Sequence, residues 1–319
     1  MKVTKGMAYG LMAAAAVLWA TSGTLTTLAI DEGATANQVA VYAAVFSVVV
    51  LLPAIHILDR PSLRLRRKDF PAMLLFAVLT GSIFSLAWYH CVDLTSVTTA
   101  VILLYSYPSI VTLASVFLLK EKLTVAKAIA LPLTFIGCLL VSGAYDLELV
   151  RLNLVGIGLG VYTGVAAAIY YLWTKKWLVT YSANTVALYL AILTVPGVVL
   201  LAEPLTLLDT PLTTDAWLLI FLIGLLPGTV GFVISMVALK HIEASKASIV
   251  ASIEPVAGVM LAVLVISEAL EWLQVAGVVL VVAGVLMLRI AHRDGDDIPE
   301  TPPGRTAEPE RREETANGK

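Results

Sequence analysis

Apolar runs of about twenty residues follow one another along almost the whole chain, and that is the length an α-helix needs to cross the hydrocarbon core of a bilayer. Ten such runs are predicted, near 7–30, 35–58, 70–92, 95–119, 124–143, 152–174, 183–202, 216–239, 244–267 and 270–291. With 59% of the 319 residues hydrophobic and only 14% charged, there is more apolar surface than one soluble core can hide. The chain is therefore read as an all-α integral membrane protein with ten transmembrane helices. Lys2 and Lys5 precede the first run in the manner of a secretory signal, but the run continues unbroken to Ile30 and is read as a span. Cys91 and Cys138 both fall inside predicted spans, which speaks against a disulfide framework.

The ninth run is broken at its middle by Glu254 and Pro255. An acidic residue at a helix centre costs roughly 2.5 to 3.5 kcal/mol to insert, so it is a functional-site candidate by default. Pro255 removes a backbone N–H and frees the carbonyl one turn earlier, near Ala251. Pro108 interrupts the fourth run in the same way. Pro108 and Pro255, Glu121 and Glu268, Gly137 and Gly284, and Gly81 and Gly228 are each separated by 147 residues. Four landmarks in one register point to an internal duplication. The copies differ at Glu254, whose counterpart is Tyr107.

Basic residues occupy alternate loops: Lys2 and Lys5, then Arg60, Arg64, Arg66, Arg67 and Lys68, then Lys120, Lys122 and Lys127, then Lys175 and Lys176, then Lys240 and Lys246, then Arg289 and Arg293. The intervening loops carry acidic residues and one basic residue, Arg151. Positive-inside then places both termini in the cytoplasm and the protein in the cytoplasmic membrane. Five spans per copy make the second copy enter the membrane from the opposite side, giving two five-helix inverted-topology repeats. The predicted organisation is a cytoplasmic N-terminus (1–6), a first repeat (7–143), a second repeat (152–291) and a tail (292–319). That tail is rich in Pro, Glu, Arg and Asp and is read as disordered and cytoplasmic.

The stretch "GTVGFVISMVALKHIEASKASIVASIEPVAGVMLAVLVISEALEWLQVAGVVLVVAGVLML" resembles the EamA-type repeat of the drug/metabolite transporter superfamily, whose second half carries a "GT…A-L…A…EP…GE" pattern before a Gly-rich last helix. The resemblance spans both copies, about residues 7 to 291. It implies a ten-helix secondary transporter, often an exporter of amino acids or other small metabolites, with a central cavity lined by helices 1, 3, 4, 6, 8 and 9. Ser267 stands where a Gly is common before Glu268, and "SYP" replaces the usual approach to Pro108. The implied substrate is left open by both departures.

Glu254 has two readings: a group that contacts substrate or exchanges a coupling proton, or a clamp on the carbonyl that Pro255 frees. Glu121 and Glu268 read as caps or loop braces at the start of helices 5 and 10. Trp19, Trp88, Tyr89, Tyr105, Tyr107 and Tyr170 are candidates for an aromatic cavity wall, with Tyr162, Tyr171 and Trp173 nearby in the sequence. His90 stands three residues before Asp93 and reads either as a proton-sensitive pair with it or as an ordinary helix-end histidine. Pro108, Pro255 and Pro227 are candidate hinges. Gly156, Gly160 and Gly164 on helix 6 recur at spacing four, the pattern of close helix packing.

No Walker loop, HExxH or metal-ligand spacing is present, so no catalytic residue, metal or cofactor is assigned. The expected partners are a small-molecule substrate, the lipid bilayer and protons as coupling ion, with no nucleic acid. The leading expectation is export of a small organic metabolite such as an amino acid by alternating access. The alternatives are a carrier of phosphorylated or nucleotide-linked solutes, which would need basic residues in the cavity, and a lipid-modifying enzyme, which would need paired polar groups at one membrane face.

Overall fold

The computed structural model describes residues 3–95, 97–146, 153–202, 207, 211–266 and 271–293, and among them every regular element is helical. We number the helices α1 (Lys5–Asp31), α2 (Ala36–Leu58), α3 (Phe70–Ala77 and Phe84–Leu94, joined by a π-turn at Val78–Ile83), α4 (α4a, Val97–Leu104, and α4b, Tyr107–Leu118) and α5 (Val125–Val141). There follow α6 (Leu154–Thr180), α7 (Ala183–Leu201), α8 (Thr214–Leu225 and Phe232–His241, joined by a π-turn at Leu226–Gly231), α9 (α9a, Ala244–Ala251, and α9b, Ile253–Ile266) and α10 (Trp272–Arg293). Eight of the ten are long and apolar enough to cross a membrane, and α5 and α10 are shorter apolar helices. Glu268 and residues 294–319 of the tail lie outside the described residues.

Most starts are set by short polar side chains. Thr4, Thr35, Thr124, Asn153, Ser182 and Thr213 each accept a backbone N–H from the first turn that follows, and Thr35 forms a full capping box with Gln38. One end differs from the sequence expectation: α6 continues to Thr180, past Lys175 and Lys176. Lys175 turns its ammonium onto the carbonyls of Leu239 (2.6 Å) and Ile242 (2.7 Å), at the C-terminal end of α8. That is where a helix favours a cation, so the charge does not end α6.

The surface is inverted relative to a soluble protein. Val49, Ile57, Leu113, Phe117, Leu154, Leu200, Leu264 and Trp272 are exposed, whereas Gln38, Ser82, Lys127, Thr134, Thr163, Ser235, Ser245 and Ser248 are buried. Apolar side chains meet lipid, and polar ones find partners inside.

The 147-residue register reappears in the packing. A Cβ on Gly137 would lie 2.8 Å from the Gly277 carbonyl and 2.9 Å from the Val281 nitrogen, while one on Gly284 would lie 2.8 Å from the Thr134 side chain and 3.1 Å from the Ala130 carbonyl. Positions 130, 134 and 137 of α5 are the counterparts of 277, 281 and 284 of α10, so the contact is reciprocal. The same exchange occurs between α3 and α7 and between α8 and α2. Gly81 abuts Thr194, and its counterpart Gly228 abuts Ser47, the counterpart of Thr194. Thr194 donates to the Ala77 carbonyl (3.5 Å), and Ser47 donates to the Gly224 carbonyl (2.9 Å), again at matching positions. The π-turns of α3 and α8 hold Gly81 and Gly228, and the breaks at Tyr105–Ser106 and at Ser252 also match.

Candidate functional site

Each broken helix loses backbone hydrogen bonds at mid-length, and the structure shows where the freed groups go. Pro108 and Pro255 stand in the first turn after their breaks, where a missing N–H costs least. Ser252 N–H bonds to the Ile249 carbonyl (3.1 Å), which leaves the Ser248 carbonyl without its usual helical partner. The Tyr107 hydroxyl donates to that carbonyl at 3.4 Å, and the Cys138 thiol lies 3.8 Å from the Ser252 carbonyl. Tyr107 and Cys138 thus serve two carbonyls beside the break.

Tyr105, Tyr107, Tyr171 and Cys138 lie close enough to Glu254 to feel its charge. Glu254 itself is partly buried. Tyr107 stacks on Tyr171 with ring centroids 5.4 Å apart and planes within 7°, and Tyr105 packs on Tyr107 at 5.8 Å. Tyr170 meets Tyr171 edge-on (5.4 Å) and Phe232 edge-on (5.5 Å), stacks on Phe76 (6.5 Å), and shares a 2.9 Å hydroxyl hydrogen bond with Ser235. Trp19 packs on Phe232 at 5.5 Å, with its indole nitrogen buried and no hydrogen-bond partner among the described residues. Glu254, Tyr105 and Tyr107 thus gather around the breaks of α4 and α9, and Tyr170 and, through Phe232, Trp19 extend the cluster toward α8, on elements from both halves of the chain.

The sequence pattern that defines the EamA-like transporter family matches residues 6–143 and 154–290, one match per half. The chain belongs to that family. It is a multi-pass membrane transporter of the drug/metabolite transporter superfamily. It is similar to an uncharacterized transporter of Clostridium kluyveri, 23% identical over 268 residues, which are 82% of this chain and 86% of the relative. It is also similar to an uncharacterized transporter of Archaeoglobus fulgidus, 29% identical over 224 residues, covering 70% of this chain and 78% of the relative. A crystal structure of a protein only 16% identical shares the fold, with a TM-score of 0.76 over 92% of this chain and 99% of that one.

Not every residue singled out in the transporter's sequence joins the aromatic cluster. Trp88 is half-buried on α3 and makes no ring contact among those described. The side chains of Tyr89 and Asp93 lie outside the described residues, so His90, which is exposed, is placed without its expected partner. Pro227 sits in the π-turn of α8, where the Gly224 carbonyl accepts from both Thr229 (2.8 Å) and Ser47 (2.9 Å). Phe76, Phe232, Ser235 and Cys138 are the members that sequence reasoning missed. An ordinary apolar or small residue in an apolar run offers no contrast. One signal was present: Tyr107 and Glu254 are counterparts in the 147-residue register.

A second polar centre lies where α9 begins. Glu121, expected to cap α5, instead accepts the backbone N–H groups of Ala244 (2.7 Å) and Ser245 (3.3 Å) and the Ser245 hydroxyl, and so caps α9a. Thr124 already caps α5, which leaves Glu121 free to reach across. Lys127, 1% exposed, stands 3.5 Å from Glu121 and 2.8 Å from Glu243, and donates to the Lys122 carbonyl at 2.8 Å. Burial works against the charge on Glu243, but Lys127 and then Lys246 hold its carboxyl below the usual range.

Proposed function

We propose that this transporter is a secondary carrier that exports a small organic metabolite such as an amino acid, by alternating access between two five-helix inverted repeats (7–143 and 152–291). The observation that carries this reading is the placement of Glu254. A mid-span carboxylate, partly accessible, stands at the break of a helix beside the counterpart break of the other half, and broken helices are where such carriers bind substrate and coupling ion. Reciprocal packing of α5 on α10, and of α3–α7 against α8–α2, supports a two-fold relation between the halves. In this reading Glu254 exchanges a proton with the cavity, the aromatic wall meets the apolar part of the solute, and Pro108, Pro255 and Pro227 mark the bending points. Both termini are cytoplasmic, following the basic loops.

A phosphorylated or nucleotide-linked substrate would call for cations facing the cavity. Buried Lys127 and partly buried Lys175 are instead engaged at helix ends. For a lipid-modifying enzyme no observation speaks. Counterflow in proteoliposomes tests the proposal: with a panel of neutral and apolar amino acids and an imposed pH gradient, at least one solute is expected to exchange and accumulate. A folded preparation that is inert toward the panel and turns over a lipid would overturn it.

A further inference from the structure

The charged centre at the start of α9 joins the two halves of the chain at one end of the bundle, and the transport reading leaves it without a task. We propose that Glu121 and Lys127 form a latch between the halves, holding α9a against α4b and α5 and closing the path between Glu254 and that end. The proposal rests on the alternating-access reading.

Glu121 belongs to the connection between α4 and α5, yet it supplies the cap of a helix in the other half. Glu243, the residue in the N-cap position of α9a, makes no capping bond with its own side chain. Lys127 then ties the two carboxylates together, and Lys246 adds a second cation 3.5 Å from Glu243. Below this centre α9a is sealed: Ala244, Ser245, Ala247, Ser248, Ile249, Val250 and Ala251 are all buried. Past the break the burial relaxes, with Ile253, Glu254, Pro255, Ala257 and Gly258 each only partly buried. The tightly packed side of the break is thus the one toward Glu121.

The chemistry of the seal favours a contact that breaks and re-forms. Ser245, Ser248 and Ser252 follow one another at helical spacing on α9, all buried, and α9a packs on α4b, where Thr112 and Ser115 are buried in turn. A buried ion pair is weak support for stability, since apolar residues of similar volume hold a closed interface as well or better. Apolar surfaces resist hydration when they part, whereas serines, carboxylates and ammonium groups regain water. A seam of this composition opens into an aqueous path at lower cost. Glu121 and Lys127 act on Glu254 through α9a and are positioning residues.

The test reads access to position 248. In membrane vesicles of either orientation, Ser248→Cys should react slowly with a membrane-impermeant maleimide, the site of labelling being fixed by mass spectrometry. Adding Glu121→Gln should speed labelling from the Glu121 side by about tenfold, following the population of the open form. Val198→Cys, at a residue buried away from the seam, should stay slow in both backgrounds. If Glu121→Gln does not fold, Lys127→Gln makes the same comparison. Unchanged labelling at 248, or equal acceleration at 248 and 198, would overturn the latch. Counterflow by the unaltered protein is scored separately, so a failed latch and a failed transport reading give different results.

Discussion

Among the described residues Glu254 lies near the hydroxyls of Tyr105 and Tyr107 and is in no ion pair. A carboxylate paired with a cation would be held in one charge state, and in the proposed reading Glu254, with tyrosines as neighbours instead, exchanges its proton. Glu254→Gln keeps size and hydrogen bonding but cannot titrate, and is expected to fold and to retain solute exchange while losing accumulation driven by a pH gradient. Flux measured against pH for the wild type and for Glu254→Gln checks this, and an unchanged profile in the variant would remove the coupling role. The sequence made Glu254 legible because a charge in an apolar run stands out. Tyr105, Tyr107 and Tyr170 were legible for the same reason. Phe232 and Cys138 were not, because their part is defined by neighbours on other helices, as when the Cys138 thiol meets the carbonyl of Ser252.

At the scale of the helix, length and hydropathy placed all ten runs within a few residues, with the far end of α6 as the exception. Chain interruptions were read less completely. Prolines announced the breaks of α4 and α9, but the π-turn of α3 contains no proline and had no mark beyond Gly81. Helix contacts were legible only as glycine patterns, and the structure separates glycines that are required from those that are not. Gly137→Ala would press a methyl into the backbone of α10, so a loss of about 1 to 3 kcal/mol is expected, whereas Gly158→Ala, with open space around it, should leave stability unchanged or slightly raised. Thermal unfolding of the two variants in detergent decides this. Equal melting temperatures would mean that α5 and α10 do not approach as closely as described.

For the whole molecule, the proposed orientation rests on charge and is open to direct measurement. An engineered thiol at Asp146 should be labelled from outside the cell, and one at Lys176 or Arg66 only after the membrane is opened. The reverse pattern would invert the proposed topology. Reciprocal packing has an energetic corollary on the alternating-access reading. If the halves were identical, the two end states of the carrier would be the same structure viewed from opposite sides, and isoenergetic. Any preference for one of them has to come from positions where a residue and its counterpart differ. Lys127 faces Gln274 across the register, Glu243 faces Ser96, Lys246 faces Thr99 and Glu254 faces Tyr107. On that reading, exchanging one of these unmatched charges for its counterpart is a way to tune the occupancy of either state without redesigning the fold.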